Sequence, residues 1–276
     1  MGLVAERLRG FIRAWQDYPL PEGKLIGGRY VIQHLLGEGS YGLTYCCRDT
    51  ADGELYALKQ SRPSKKDAGR RLLEKEYRTL LSMDHPRIPA CRDYLEFKGS
   101  NWLASDYITG KTLEDLIFDD KRIYGERESL AVILKLAELV MHVHSRGYVH
   151  LDLRIPNVIL REEDLYLIDF GLAKRIGEQE DSSGPDAALQ TVVLPERMPP
   201  VISSDLYDMG QLMLFMLYSA YEPERGKQER SWREELKVSP DMLMLLNRLL
   251  GEHAEPYADT ADFVRDAEAI HQGLLK

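Results

Sequence analysis

Asp152 and Asn157 stand five residues apart in "HLDLRIPNVIL", with Arg154 between them and an apolar exit behind. An aspartate carboxylate can accept a proton from an attacking hydroxyl, and an asparagine amide oxygen can bind a hard cation. Downstream, "YLIDFGLAK" puts Asp169 after an apolar strand and before Phe170 and Gly171, a second oxygen ligand at a strand exit. Upstream, "LYALKQ" presents Lys59, a cation that could neutralise phosphate if a carboxylate held it, and Glu76 on the next helical pattern is a candidate. Alone, such a pair reads as an ordinary solvated lysine and glutamate. "GEGSYGLTY" sets Gly37, Gly39 and Gly42 between two candidate strands, where missing side chains let a turn approach phosphate oxygens. A plain glycine-bearing hairpin looks the same, and dinucleotide folds share the spacing but need a following helix rather than a strand.

These residues need elements to position them. From Tyr30 to Tyr107 the signals are short and β-like: "YVIQHLL", "LTYCCRD", "LYALKQ" and "NWLASDY" carry branched and aromatic residues between Gly, Asp and Ser punctuation. One helix interrupts them in "RRLLEKEYRTLLSM", where Leu72, Leu73, Tyr77, Leu80 and Leu81 form an apolar stripe that Asp84, His85 and Pro86 end. After Gly110 the patterns turn helical, notably "ESLAVILKLAELVMHVHSRG", "SSDLYDMGQLMLFMLYSAY", "DMLMLLNRLL" and "TADFVRDAEAIHQGLL". A small β-rich lobe followed by a larger α-rich one is expected, with a hinge near residues 106–111 and a cleft between the lobes. Ahead of both, Leu3, Val4, Leu8, Phe11, Ile12 and Trp15 share one face of an amphipathic helix that Pro19 and Pro21 stop. Its plain role is packing on the domain that follows; weak docking to a membrane surface or a partner is the alternative.

The bulk numbers set limits. The chain has 276 residues, 44% of them hydrophobic, enough for one large domain or two lobes with a shared core. A formal charge of -9 argues against broad nucleic-acid binding, which needs a basic face to displace counterions. The apolar run from Leu212 to Tyr218 is far short of the roughly 20 residues that span a bilayer, and the N-terminus lacks the pattern of a secretory signal, so a cytoplasmic protein is expected. Cys46, Cys47 and Cys91 form neither a disulfide framework nor a zinc pattern with the scattered histidines.

Taken in order, glycine loop, strand lysine, helix glutamate, hinge, catalytic loop and "DFG" make the chain resemble the protein kinase superfamily, specifically the bacterial eukaryotic-like Ser/Thr kinases. The similarity runs from about Tyr30 to the C-terminus. It implies an α+β bilobal protein-kinase-like fold: an N-terminal helix and linker over 1–29, a small β-rich N-lobe with one main helix over 30–107, and a larger α-helical C-lobe over 108–276. It implies ATP and magnesium as cofactors, and transfer of the γ-phosphate to Ser/Thr hydroxyls of proteins, with autophosphorylation. In that scheme the Gly37, Gly39 and Gly42 loop covers the phosphates, and Lys59, held by Glu76, contacts the α- and β-phosphates. Asp169 and Asn157 hold magnesium, Asp152 orients the acceptor, and Arg154, where the family often has lysine, neutralises the γ-phosphate. Adenine sits between Leu36, Thr44 and Ala57 above and Ile159 below, with hinge hydrogen bonds near Asp106 to Ile108. Asp205 and Gly210 match the helix on which the family anchors its catalytic loop.

The sequence also departs from the family. Leu151 replaces the arginine that in many members pairs with a phosphorylated activation loop, which implies a working loop under different control. "AALQTVVLPER" keeps Pro195 and Glu196 of the closing motif but displaces Thr191, and Pro256 stands where the family has the arginine that pairs with that glutamate. A nucleotide-binding pseudokinase scaffold and a small-molecule kinase are the competing functions. Intact Lys59, Asp152, Asn157 and Asp169 disfavour the first, and "DFGLAK" with the Asp205 helix disfavours the second.

Overall fold

The structure is a computed structural model that describes residues 18–39, 42–179, 198–222, 230–253 and 255–275. The chain divides into two compact units, one ending at Ile108 and the other beginning at Thr109.

The first unit is built on six strands: β1 (Leu25–Ile26), β2 (Tyr30–Glu38), β3 (Gly42–Asp49), β4 (Leu55–Ser61), β5 (Cys91–Phe97) and β6 (Ser100–Asp106). They form one antiparallel sheet in the order β1-β2-β3-β4-β6-β5. Because side chains alternate along a strand, Leu43, Tyr45, Cys47, Leu58, Trp102 and Ala104 turn one way and join Ile26, Tyr30 and Ile32 in a buried apolar cluster. The intervening residues Thr44, Ala57 and Lys59 are left on the opposite face. Helix α1 (Lys66–Leu81) packs on β4, β5 and β6, with Tyr77 stacked on Tyr94 of β5 at 4.9 Å between ring centres.

Two expectations need correction here. Leu81 is 60% exposed, and the buried face of α1 runs instead through Leu73, Glu76 and Leu80 to Met83 just beyond the helix. The stripe is rotated because the helix turns a carboxylate, rather than its last leucine, toward the sheet. Strand β5 went unread because "CRDYLEF" has Arg92, Asp93 and Glu96 at a sheet edge, where one side of the ladder stays solvated and no clean alternation is required.

The second unit is mainly helical: α2 (Leu113–Phe118), α3 (Glu126–Ser145), α4 (Ile202–Tyr218), α5 (Trp232–Glu235), α6 (Pro240–Leu249) and α7 (Thr260–Gly273). Short pairings accompany them, β7 (Lys111–Thr112) with β9 (Val158–Arg161), β9 with β10 (Asp164–Leu167), and β8 (Tyr148–Val149) with β11 (Lys174–Arg175). Helix α2 begins in a capping box in which Thr112 and Asp115 satisfy each other's backbone N–H groups. Helix α4 is apolar nearly all round, with Leu206, Met209, Leu212, Met213, Met216 and Leu217 buried, as suits a helix enclosed by its neighbours α3 and α6. Gly210 makes the α6 side possible, since a Cβ there would lie 3.0 Å from Leu249 Cβ and 3.1 Å from Leu250 Cδ2.

Among the described residues no helix is long and apolar enough to cross a membrane. The cysteines are all free thiols, and burial pushes the Cys47 thiol up to about 12 and Cys91 up to about 11.

Candidate active site

In the first unit, strand register collects the cation and its surroundings. Lys59 of β4 pairs with Thr44 of β3, and Ala57 pairs with Cys46 on one side and Ser105 of β6 on the other. Paired residues share a face, so Thr44, Ala57 and Lys59 line up together. Glu76 rises to meet them from α1: Lys59 Nζ lies 2.9 Å from Glu76 Oε1 and 2.8 Å from Oε2. Glu76 is only 5% exposed, which keeps this ion pair out of the screened class that carries little energy.

Gly42 serves the same lysine. A Cβ at that position would meet the Gln60 carbonyl oxygen at 2.9 Å, while touching the Lys59 stem only at an ordinary 3.5 Å, so the backbone next to Lys59 can come this close to β3 because residue 42 has no side chain. Gly39 closes the loop from the other end: its N–H donates to the Gly42 carbonyl at 2.9 Å, and its own carbonyl accepts from Arg62 Nε at 2.8 Å. Gly37 pairs with Thr44, and Leu36, 41% exposed, falls in the register irregularity just before it. Asp106 ends β6 with its carboxylate turned to the Ala90 N–H and Arg92, so its side chain is spoken for within the sheet. Ile108 follows, half-buried.

In the second unit, Asp152 and Asn157 are in direct contact. Asn157 Nδ2 donates to both the backbone oxygen and Oδ2 of Asp152, each at 2.9 Å. Spending the amide nitrogen on Asp152 fixes the flip of the amide and turns its oxygen, the only end that can ligate a cation, the other way. The Asn157 carbonyl accepts from the Ile168 N–H at 3.0 Å, which ties the loop to the stretch leading into Asp169. Asp169 is exposed and left-handed at φ 62°, with its Oδ1 accepting from the Gly171 N–H at 3.2 Å. Arg154 forks onto Asp152, Nε 2.5 Å from Oδ1 and Nη2 2.9 Å from Oδ2, while itself 66% exposed. Ile159 is buried on β9, paired with Thr112 and Tyr166.

The loop carrying Asp152 is held from below. Asp205 of α4 is fully buried and accepts the backbone N–H of His150 and of Leu151, each at 2.8 Å. A third contact, 2.9 Å from His144 Nε2 of α3, completes its coordination, and Thr260 lies 3.1 Å from the other nitrogen of that ring. The sequence places Asp205 correctly but gives no sign of Asp208, whose Oδ2 accepts the Leu153 N–H at 3.4 Å. Burial, and then the neighbouring Asp205 charge, push the Asp208 carboxyl up to about 7. Leu151 adopts the left-handed conformation at φ 61°. His150 is buried against Phe170, 4.7 Å between ring centres, and burial holds its imidazole below the usual range.

The N-terminal helix, Ser182, Ser183, Thr191, Pro195 and Glu196 lie outside the described residues. Pro256 is exposed, and beside it Arg248 stacks 3.8 Å over the Tyr257 ring while bonding Asp266 and the Glu255 carbonyl.

A protein kinase domain model matches residues 30–255 of this chain. A probable serine/threonine-protein kinase of Bacillus subtilis, YbdM, is 34% identical over 94% of this chain and 95% of its own length. Serine/threonine-protein kinase B of Synechocystis is 27% identical over 88% of this chain, which spans about half of that relative, 46%. Among solved structures, a Mycobacterium tuberculosis PknI kinase domain superposes with a TM-score of 0.66 at 23% identity, covering 91% of this chain and 99% of that one. The fold is that of a protein kinase, a β-rich sheet region followed by a helical region, and the chain belongs to the protein kinase domain family.

Proposed function

We propose that this kinase domain transfers the γ-phosphate of ATP to serine and threonine hydroxyls of proteins, its own included, with magnesium as the cofactor. The observation that carries the reading is the Asp152–Asn157 pair, in which a carboxylate able to accept a proton fixes the asparagine amide so that its oxygen is left to offer to a cation. The serine/threonine preference is supported by the names of the relatives in Bacillus and Synechocystis.

Phosphoryl transfer asks a protein mainly for alignment and for charge placed around three oxygens. Lys59, braced by Glu76, supplies fixed positive charge for the α- and β-phosphates, and the Gly37 to Gly42 loop supplies backbone that can approach them. Leu36, Thr44, Ala57 and Ile159 provide apolar contact for adenine, and the backbone from Asp106 to Ile108 its hydrogen bonds. Asp152 accepts the proton of the attacking hydroxyl and sets its direction. Arg154 pairs with Asp152 until a γ-phosphate competes for the guanidinium.

Magnesium, when bound, neutralises phosphate charge as it builds up. Among the described residues no group of three or more His, Cys, Asp or Glu side chains converges as a metal cage. That suits this ion, which takes one or two protein oxygens and fills its octahedron with phosphate and water. Asn157 and Asp169 would hold it.

The test is incubation with γ-labelled ATP, magnesium and generic protein substrates, followed by identification of the phosphorylated residue. Phosphoserine and phosphothreonine are expected, on the substrate and on the kinase. No magnesium-dependent label overturns the activity, and phosphotyrosine alone overturns the choice of acceptor.

A further inference from the structure

We propose that Asp208 is a positioning residue, a second carboxylate that works with Asp205 to strap the stretch carrying Asp152 onto α4. The proposal deepens the kinase reading and rests on it for the role of Asp152. The two aspartates are three residues apart on one helix, so their side chains leave the same face. Asp205 takes the N–H groups of His150 and Leu151, and Asp208 takes that of Leu153. Asp152 is therefore held on both sides by backbone amides bound to a single rigid element.

Apart from Ser204 and Asp205 the side chains that the helix buries are apolar, and a half-buried carboxylate beside a buried one costs stability that an apolar or small side chain would not. What the carboxylate provides is an acceptor for Leu153.

The charged groups facing Asp208 are Asp205 on its own helix and Asp152 and Arg154 on the loop, with His144 of α3 bonded to the far side of Asp205. Burial and Asp205 raise the carboxyl from an ordinary 3.8 to about 7, against the opposing pull of the Leu153 N–H and Arg154. The folded chain thus holds a proton here that an unfolded chain would release. The group's contribution to stability is complete below 3.8 and is lost as pH climbs to about 7. The strap responds in the opposite sense: an ionised acceptor makes the stronger bond to the Leu153 N–H, so the long 3.4 Å contact tightens as the fold gives up stability.

The experiment follows the Leu153 backbone amide of the full chain by NMR from about pH 5 to about pH 9, either side of the raised carboxyl. In the wild type its shift titrates with a midpoint near neutrality. In Asp208→Asn, which keeps an acceptor oxygen but cannot ionise, it stays flat. Asp208→Ala removes the acceptor and speeds hydrogen exchange at Leu153 by about five-fold. Turnover follows: kcat rises through the same pH range in the wild type and not in Asp208→Asn, with KM for ATP unchanged. An amide that titrates alike in Asp208→Asn, or exchange unmoved in Asp208→Ala, overturns the strap. If Asp208→Ala does not fold, the wild type and Asp208→Asn decide it. The amide readouts need no turnover, so a titrating Leu153 in a protein that transfers no phosphate supports the strap and overturns the kinase reading separately.

Discussion

The two units hold their reactive groups by different means. In the first, sheet register sets Thr44, Ala57 and Lys59 side by side, and one helix brings Glu76 to them from a residue only 17 positions along the chain. In the second, Asp152 sits in a loop with no repeating pattern, and the two amides before it, of His150 and Leu151, are held by Asp205 from 55 and 54 positions away. A register is shared by many backbone hydrogen bonds, so losing one side chain leaves the geometry standing. A loop hung from two carboxylates on one helix has far less redundancy.

Asp205→Ala should break the comparison hardest. It leaves the His150 and Leu151 amides without their acceptor and removes one of the two partners of the His144 ring, and the removal of one partner from such a network costs about 3 kcal/mol or more. Urea unfolding checks this; a loss below about 1 kcal/mol would mean the loop stands without its anchor. Glu76→Gln keeps the shape of the Lys59 contact but removes its charge. It should cost about ten-fold in kcat/KM for ATP, with a loss of stability smaller than that of Asp205→Ala, because the backbone ladder of the sheet survives. A change in stability as large as that of Asp205→Ala would erase the distinction between the units.

Leu151 sharpens the point at a smaller scale. At φ 61° it pays for a left-handed backbone that asparagine tolerates and a β-branched residue does not. Leu151→Ile should therefore be less stable than Leu151→Asn by about 1 kcal/mol, although isoleucine is the nearer match in size and polarity. The reverse order in denaturant titrations would show that side-chain packing, not backbone, decides that site. The smallest effect is expected from replacing together by alanine Ser182, Ser183 and Thr191, the serine and threonine residues between Asp169 and Glu196 that could take a phosphate. With leucine at 151 unable to make a bidentate ion pair to a phosphate, activity toward an added substrate should stay within a few-fold of wild type. A collapse reversed by restoring one of the three would identify another cation in the missing arginine's place.

The same contrast explains what the sequence made legible. Alternation in "LTYCCRD" and "LYALKQ" is enough to mark both as strands, because strand periodicity is local and its hydrophobic half must be buried, while the register that pairs Thr44 with Lys59 is fixed only in the sheet. Glu76 was legible only through the order of the motifs, since the same helix also carries Glu74, and Asp152 and Asn157 were legible by type and spacing. The left-handed backbones at Leu151 and Asp169 were not, since neither residue type announces a positive φ. Nor was Asp208, whose partner lies 55 positions away and whose neighbours in sequence read as an ordinary buried helix.

Phosphate transfer by Asp152→Asn, set beside the wild type with nucleotide affinity measured on both, tests most directly whether the loop so carefully held does the chemistry. Loss of an aligned proton acceptor should lower turnover on the order of 100-fold or more while ATP binds as before. Wild-type turnover in Asp152→Asn would contradict the account.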